Sequence, residues 1–308
     1  MKRFVVVIFI ASVFFLLSTV SFAQNFSWAQ GFIGAGGVAN PAAGIGLGAI
    51  DAANNVYVLG GVTGTLDVDQ GPNVTNVTSV GQTSLFLLKE DASGNFQWVK
   101  EFQCKSSSDF GFVGPSGLAI DAIGNIYISG AFYDTIDVDP GPGVFYLNAV
   151  TLHPNLYVVK LNSAGDFIWG KQIGGASNLS ALGWRDMKLD KSGICLIGAF
   201  GGTIDVAPGL GVVYLTPSGT PNAMLIEKLD TSGNFVWAKQ VNGVGGFGLA
   251  IDSTSNLFIT GAFQGTKDFD PGVSIANLTA VGNDEIFVAK YDSAGNYIWA
   301  GRVGGNSA

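Results

Sequence analysis

One recurring phrase constrains this fold more than any other feature. Gly-Asn-Phe-x-Trp, with Asp for Asn in one copy and Tyr for Phe in another, sets tryptophans at 98, 169, 237 and 299, at spacings of 71, 68 and 62 residues. Trp28, 70 residues before Trp98, extends the series, and Asp51, Asp121, Asp190 and Asp252 run in step with it. Self-similarity at such a period marks an array of supersecondary units, none of which can bury its apolar surface alone.

Four strand-like pieces recur in each unit. In the second they are Gly117–Asp121, Asn125–Gly130, Leu156–Leu161 and Phe167–Lys171. The links Asp121-Ala-Ile-Gly-Asn125 and Asn162-Ser-Ala-Gly-Asp166 open on Asp or Asn and close through Gly, which predicts hairpins made of a type I turn followed by a left-handed residue. Strands two and three are apolar at successive positions, as in Val56-Tyr57-Val58-Leu59, so both of their faces require cover. Strand four alternates, as expected nearer a sheet edge. A parallel β-helix would show shorter coils without hairpins, and a sandwich would not repeat one motif four times. The chain therefore reads as all-β, a β-propeller of four-stranded antiparallel blades. Forty-five glycines without a collagen period, and few charges, agree with strands and tight turns. No helical periodicity appears beyond the N-terminus.

The expected layout is a signal peptide over 1–23 and a repeat domain over 24–308. Within the latter an orphan strand covers 26–32, with blades at about 44–104, 115–175, 183–242 and 245–305. Because blade four already owns its strand Tyr297-Ile298-Trp299, the orphan strand implies an incomplete ring within a longer protein. Closure by four blades alone is the alternative.

Three phrases carry a resemblance: Asp-x-x-Gly-Asn-x-Tyr-x-x-Gly (Asp121 to Gly130), Thr-x-Asp-x-Asp-Pro-Gly (Thr135 to Gly141 and Thr266 to Gly272) and Lys-x-Asp-x-x-Gly-Asn-Phe-x-Trp (Lys228 to Trp237). In these the chain resembles the SBBP (beta-propeller) repeat family of secreted proteins of the Bacteroidota, over nearly all of 26–305. The resemblance implies a propeller, export and often cell-surface display, with no single activity and no shared catalytic residues.

Lys2 and Arg3, the apolar run from Phe4 to Leu17, and the small residues Ser21 and Ala23 form the layout of a cleavable export signal. The run is shorter than the ~20 residues that cross a bilayer, and no later segment spans one, so no membrane span is expected after cleavage. Localisation is then extracellular or at the outer cell surface. A net charge of −8 without any basic cluster argues against a nucleic-acid partner. Two cysteines, Cys104 and Cys195, make no disulfide scaffold, and Cys195 in an apolar run reads as a buried thiol.

From the strand-two glycine to strand three the distance is nearly fixed, at 25, 26, 26 and 25 residues, whereas blade-to-blade links vary. This fixed connection carries Asp67 and Asp69, Asp137 and Asp139, Asp205 with Ala207, and Asp268 and Asp270. Two carboxylates on one side of an extended segment could close on Ca²⁺ as a metal site, with Pro-Gly carbonyls completing the shell. The competing reading has each Asp cap a turn and accept backbone N–H bonds, and the missing Asp in the third copy favours it. The hairpin series Asp91, Asn162, Asp230 and Asp292 reads the same way, and Lys89, Lys160, Lys228 and Lys290 end strand three, within reach of a turn Asp. His153, the only histidine, lies in a loop with no identifiable catalytic partner.

Trp184, Arg185 and Asp186 depart from the repeat and are the candidate binding residues. The preferred function is a non-enzymatic binding or scaffold module with an extracellular protein or glycan partner. A polysaccharide-active hydrolase or lyase with a channel site is the rival, and a Ca²⁺-stabilised structural repeat is a third reading.

Overall fold

The computed structural model describes residues 33–34, 44–80, 83–103, 112–149, 154–174, 182–209 and 211–304. All fall in one compact unit, Gly31–Ala308. The signal 1–23, the orphan strand 26–32, Cys104 and His153 lie outside the described residues.

Four four-stranded antiparallel sheets follow one another, each ordered one-two-three-four in space. Blade one is Gly44–Ile50, Val56–Val62, Ser84–Glu90 and Phe96–Phe102, and blade two is Phe112–Ile120, Ile126–Phe132, Asn155–Leu161 and Phe167–Ile173. Blade three is Leu182–Asp190, Gly193–Gly201, Asn222–Asp230 and Phe235–Asn242, and blade four is Val244–Ile251, Leu257–Phe263, Glu285–Tyr291 and Tyr297–Val303. No described residue is helical. These sheets are the β-propeller blades that the repeat predicts.

The turns form as the sequence chemistry dictates. Asp121 accepts the amides of Ile123 and Asn125 on Oδ1, while its Oδ2 accepts the Asn125 side-chain amide and the Tyr127 hydroxyl. Gly124 and Gly165 sit at φ +87° and +79°, where a Cβ would be strained, and a register shift follows between Lys160 and Leu161. The second unit exchanges roles in its other turn. Asn162 accepts the amides of Ala164 and Asp166 and donates through Nδ2 to Asp166, reversing the Asp230–Asn234 pair of unit three.

Continuous apolarity in strands two and three is explained by cover on both faces. Tyr57, Leu59 and Leu87 of blade one share a core with Ile126, Ile128 and Val159 of blade two. Tyr127 and Val158 meet Leu196 and Leu225 of blade three, and Cys195 and Ile226 meet Ile259 and Phe287 of blade four. First strands of consecutive blades also lie side by side. Strand-four tryptophans reach across too: Trp98, Trp169 and Trp237 abut the turn glycines Gly165, Gly233 and Gly295 of the following blade. Trp237 also donates its indole N–H to the Ser293 carbonyl at 3.2 Å.

The fixed connection is not a plain loop. It holds two short paired strands, Thr135–Asp137 with Tyr146–Asn148 in blade two, repeated in all four blades. Ile136, Val138 and Leu147 bury this hairpin in the core shared with blade one, which fixes its length. The hairpin also bonds to the preceding blade, as when the Asp137 amide donates to the Gln103 carbonyl at 3.0 Å. In blade one, Ile33–Gly34 pairs with Leu66–Asp67 instead. Ile33 stands five residues after Trp28, as Gln103 does after Trp98, and it meets the blade-one hairpin at Asp67 as Gln103 meets the blade-two hairpin at Asp137.

Candidate binding site

The acidic connection is where sequence reasoning placed a metal. In every copy the first carboxylate is engaged by its own hairpin: Oδ1 of Asp67 accepts the amides of Asp69 and Thr75, and that of Asp137 those of Asp139 and Phe145. Asp205 accepts from Ala207 and Val213, and Asp268 from Asp270 and Ala276. The second carboxylates turn to the glycine two residues on, Asp69 to Gly71, Asp139 to Gly141 and Asp270 to Gly272, at 2.7–2.8 Å. Ala207 lacks that second bond, yet the hairpin keeps its register. Among the described residues no group of three or more Asp, Glu, His or Cys side chains is placed to hold an ion. Turn capping is what the geometry of these aspartates supplies.

The Trp184-Arg185-Asp186 departure is structural in origin. Trp184 is buried between blades two and three, so its ring offers no face to a sugar. Asp186 accepts the Met187 amide and Lys188 Nζ on Oδ1, and on Oδ2 the Leu249 amide of blade four at 2.9 Å. The register shifts between Trp184 and Asp186, which aims that carboxylate at the neighbouring blade and leaves Arg185 exposed. The three side chains thus meet three different surroundings: the core, solvent and the Leu249 amide.

Lysines of strand three serve the hairpins. Lys89 and Lys290 pair with Asp51 and Asp252 at 3.8 and 3.5 Å, and both lie over aromatic rings, of Tyr57 and Phe258. Lys160 reaches the Thr231 carbonyl of blade three. Lys228 is buried, bonded to Asp190 and, at 3.3 Å, to the Cys195 thiol. Burial pushes that thiol up to about 11, against the opposing pull of Lys228, so it is held neutral and inert.

A cleft of about 530 Å³ separates strand four of blade one from the hairpin of blade two, lined by Lys100, Glu101, Gln103, Asp137, Asp139 and Tyr146, among others. Burial raises the Glu101 carboxyl above its ordinary range, partly offset by a backbone bond from Thr78. Above the cleft the hairpin exposes Val144, Phe145 and Tyr146, and blade three repeats this with Val212, Val213 and Tyr214. Blade four shows Val273 and Ile275 at the same tip. The sequence held two signals for this surface. Glu101 stands where strand four carries Gln172 and Gln240, and tyrosines follow the acidic phrase at 146 and 214.

Four-stranded antiparallel blades, joined in series through shared cores and repeated four times, define a β-propeller repeat protein. No protein-family model matches the chain. An uncharacterized WD repeat-containing protein of Acanthamoeba polyphaga mimivirus is 25% identical over 323 aligned residues, covering 83% of this chain. The chain spans only 22% of that relative's length. The similarity supports a β-propeller repeat and does not single out the SBBP type. No described helix is long and apolar enough to cross a membrane.

Proposed function

We propose that the chain is a non-enzymatic binding module, exported and working outside the cell, whose hairpin tips and the cleft between blades one and two receive a protein or glycan. The observation that carries this reading is the row of exposed apolar and aromatic side chains at equivalent tips, Val144 to Tyr146 and Val212 to Tyr214, beside a polar cleft. Aromatic faces next to carboxylate and amide groups suit both sugar rings and protein loops. Asp137 and Asp139 beside the cleft accept amides of their own hairpin, which supports recognition as the use of this surface. The export reading rests on the tripartite N-terminus, and the SBBP-type assignment on the Asp-x-x-Gly-Asn and Asp-Pro-Gly phrases.

Screening the purified chain against glycan and extracellular-protein arrays tests the proposal. Binding is expected, weakened about tenfold or more by Tyr146→Ala or Tyr214→Ala, as for aromatic anchors at interface centres. Binding that both variants leave intact, or none in either array, overturns the proposal.

A further inference from the structure

We infer that the hairpin of blade three, Ile204–Asp205 paired with Tyr214–Leu215, is a pH-driven flap that seats on its blade over protonated Glu227 and lifts when Glu227 ionises. The device is independent of the binding role proposed for the hairpin tips, and only its effect on a ligand rests on that reading.

Glu227 lies directly under that hairpin. Blade two shows the arrangement at its facing pair Val159 and Gly170, where a Cβ on Gly170 would meet Val138 and Phe145 of the hairpin at 2.8 and 3.3 Å. The facing pair in blade three is Glu227 and Ala238. Ala238 packs in the core that holds Ile204 and Val206 of the hairpin and Leu196, the residue opposite Glu227 on strand two. Glu227 is fully buried there, and neither of its oxygens is bonded. The cations nearest in sequence and on the adjoining strands are engaged elsewhere. Lys228 bonds Asp190 and Cys195 on the opposite face, and Lys171 and Lys239 stand against the turn glycines Gly233 and Gly295. Asp205, on the hairpin itself, opposes ionisation of Glu227 by its like charge. A carboxylate forms here only with the cover raised and water admitted.

This hairpin is also held less firmly than its three counterparts. Its paired strands are two residues long, against three in the other blades. Ala207 takes the place of the aspartate that elsewhere binds the Gly71, Gly141 or Gly272 amide. The base is fastened by the Thr203 and Thr216 hydroxyls at 2.9 Å and by Gln240 Nε2, which donates to the Thr216 carbonyl at 2.9 Å. Lifting gives up the bond from the Gly174 amide of blade two to the Asp205 carbonyl and the burial of Ile204 and Val206, so the seated state is favoured while Glu227 keeps its proton. The tip that moves carries Val212, Val213 and Tyr214.

Below the ordinary glutamate value of about 4.3, the seated and lifted states both hold the proton. Above it the lifted state ionises and the seated one does not, so the lifted fraction grows about tenfold per pH unit until the seated carboxyl itself ionises. Amide hydrogen exchange of the full chain tests this with an internal control. Val206 donates to the Val213 carbonyl and Val138 to the Phe145 carbonyl, both at 3.0 Å, but Val159 rather than a carboxyl lies under the second hairpin. From about pH 5 to about pH 7, protection of Val206 relative to Val138 is expected to fall about 100-fold. Glu227→Gln, which keeps the size and polarity but cannot ionise, is expected to hold that ratio constant. A constant ratio in the wild type overturns the inference, as does a fall that Glu227→Gln leaves in place. Failure of the array screen alongside a falling ratio removes only the binding role of the tips.

Discussion

Glu227 is the residue at which the repeat conflicts with its own physics. It lies on strand three of blade three, fully buried, with neither carboxyl oxygen bonded, where the other blades place Leu88, Val159 and Ala289. Burial raises its carboxyl well above the ordinary range, and the nearby Asp205 charge adds to the effect. Replacing it by Leu, the residue of blade one, removes an unpartnered polar group whose burial costs about 1–3 kcal/mol. The pH dependence follows from the sign of the shift. Below the unfolded-state value both states hold the proton. Above it the unfolded chain ionises first, so the native protein loses about 1.4 kcal/mol per pH unit until the buried carboxyl itself ionises. Urea denaturation of the wild type and Glu227→Leu, from about pH 4 to about pH 7, is expected to show a variant that is more stable throughout and whose advantage widens as pH rises. A difference that is flat with pH, or a less stable variant at neutral pH, refutes the reasoning.

Three further outcomes are expected. Asp190→Asn should destabilise by about 3–5 kcal/mol, because it strips the buried Lys228 ammonium of its counter-charge. Burial opposes ionisation of Asp190, but Lys228 and Ser192 outweigh it, so the wild-type contribution is present above the usual carboxylate range and lost as pH falls through the depressed value. EDTA should leave the melting temperature unchanged, whereas Asp137→Ala should lower it with or without Ca²⁺, by about 1–2 kcal/mol for two lost amide bonds. A melting temperature raised by Ca²⁺ would support the metal reading instead. Cys195 should resist a maleimide in the native protein and react once urea unfolds it, since the thiol is both buried and held neutral.

The blades were legible because their signals are local. The Trp series, the Asp-x-x-Gly-Asn turns and the two-faced strands two and three each follow from short-range chemistry and recur four times. Strand boundaries in blade two fall within a few residues of the expectation, apart from a longer first strand beginning at Phe112. What could not be read was where a departure from the repeat would point. Trp184 and Asp186 looked like a grafted site, yet a register shift turns one into the core and the other onto the Leu249 amide, and registers of that kind depend on contacts between blades. The hairpin inside the fixed connection was hidden for a related reason, since its strands are only two or three residues long and are held by the adjacent blade. Glu227 was visible as a letter, but its burial follows only from the continuous apolar pattern around it.

The exchanged turn at Asn162 and Asp166 carries a lesson about kinship. Two letters differ from the usual order, yet the same bonds form with donor and acceptor traded, and Asp166 also gains Lys100 of the preceding blade. Evolution can therefore rewrite both ends of such a loop together without the backbone registering any change. Percentage identity counts that as two losses, so it understates how closely chains of this architecture agree in the quantity their hairpins conserve.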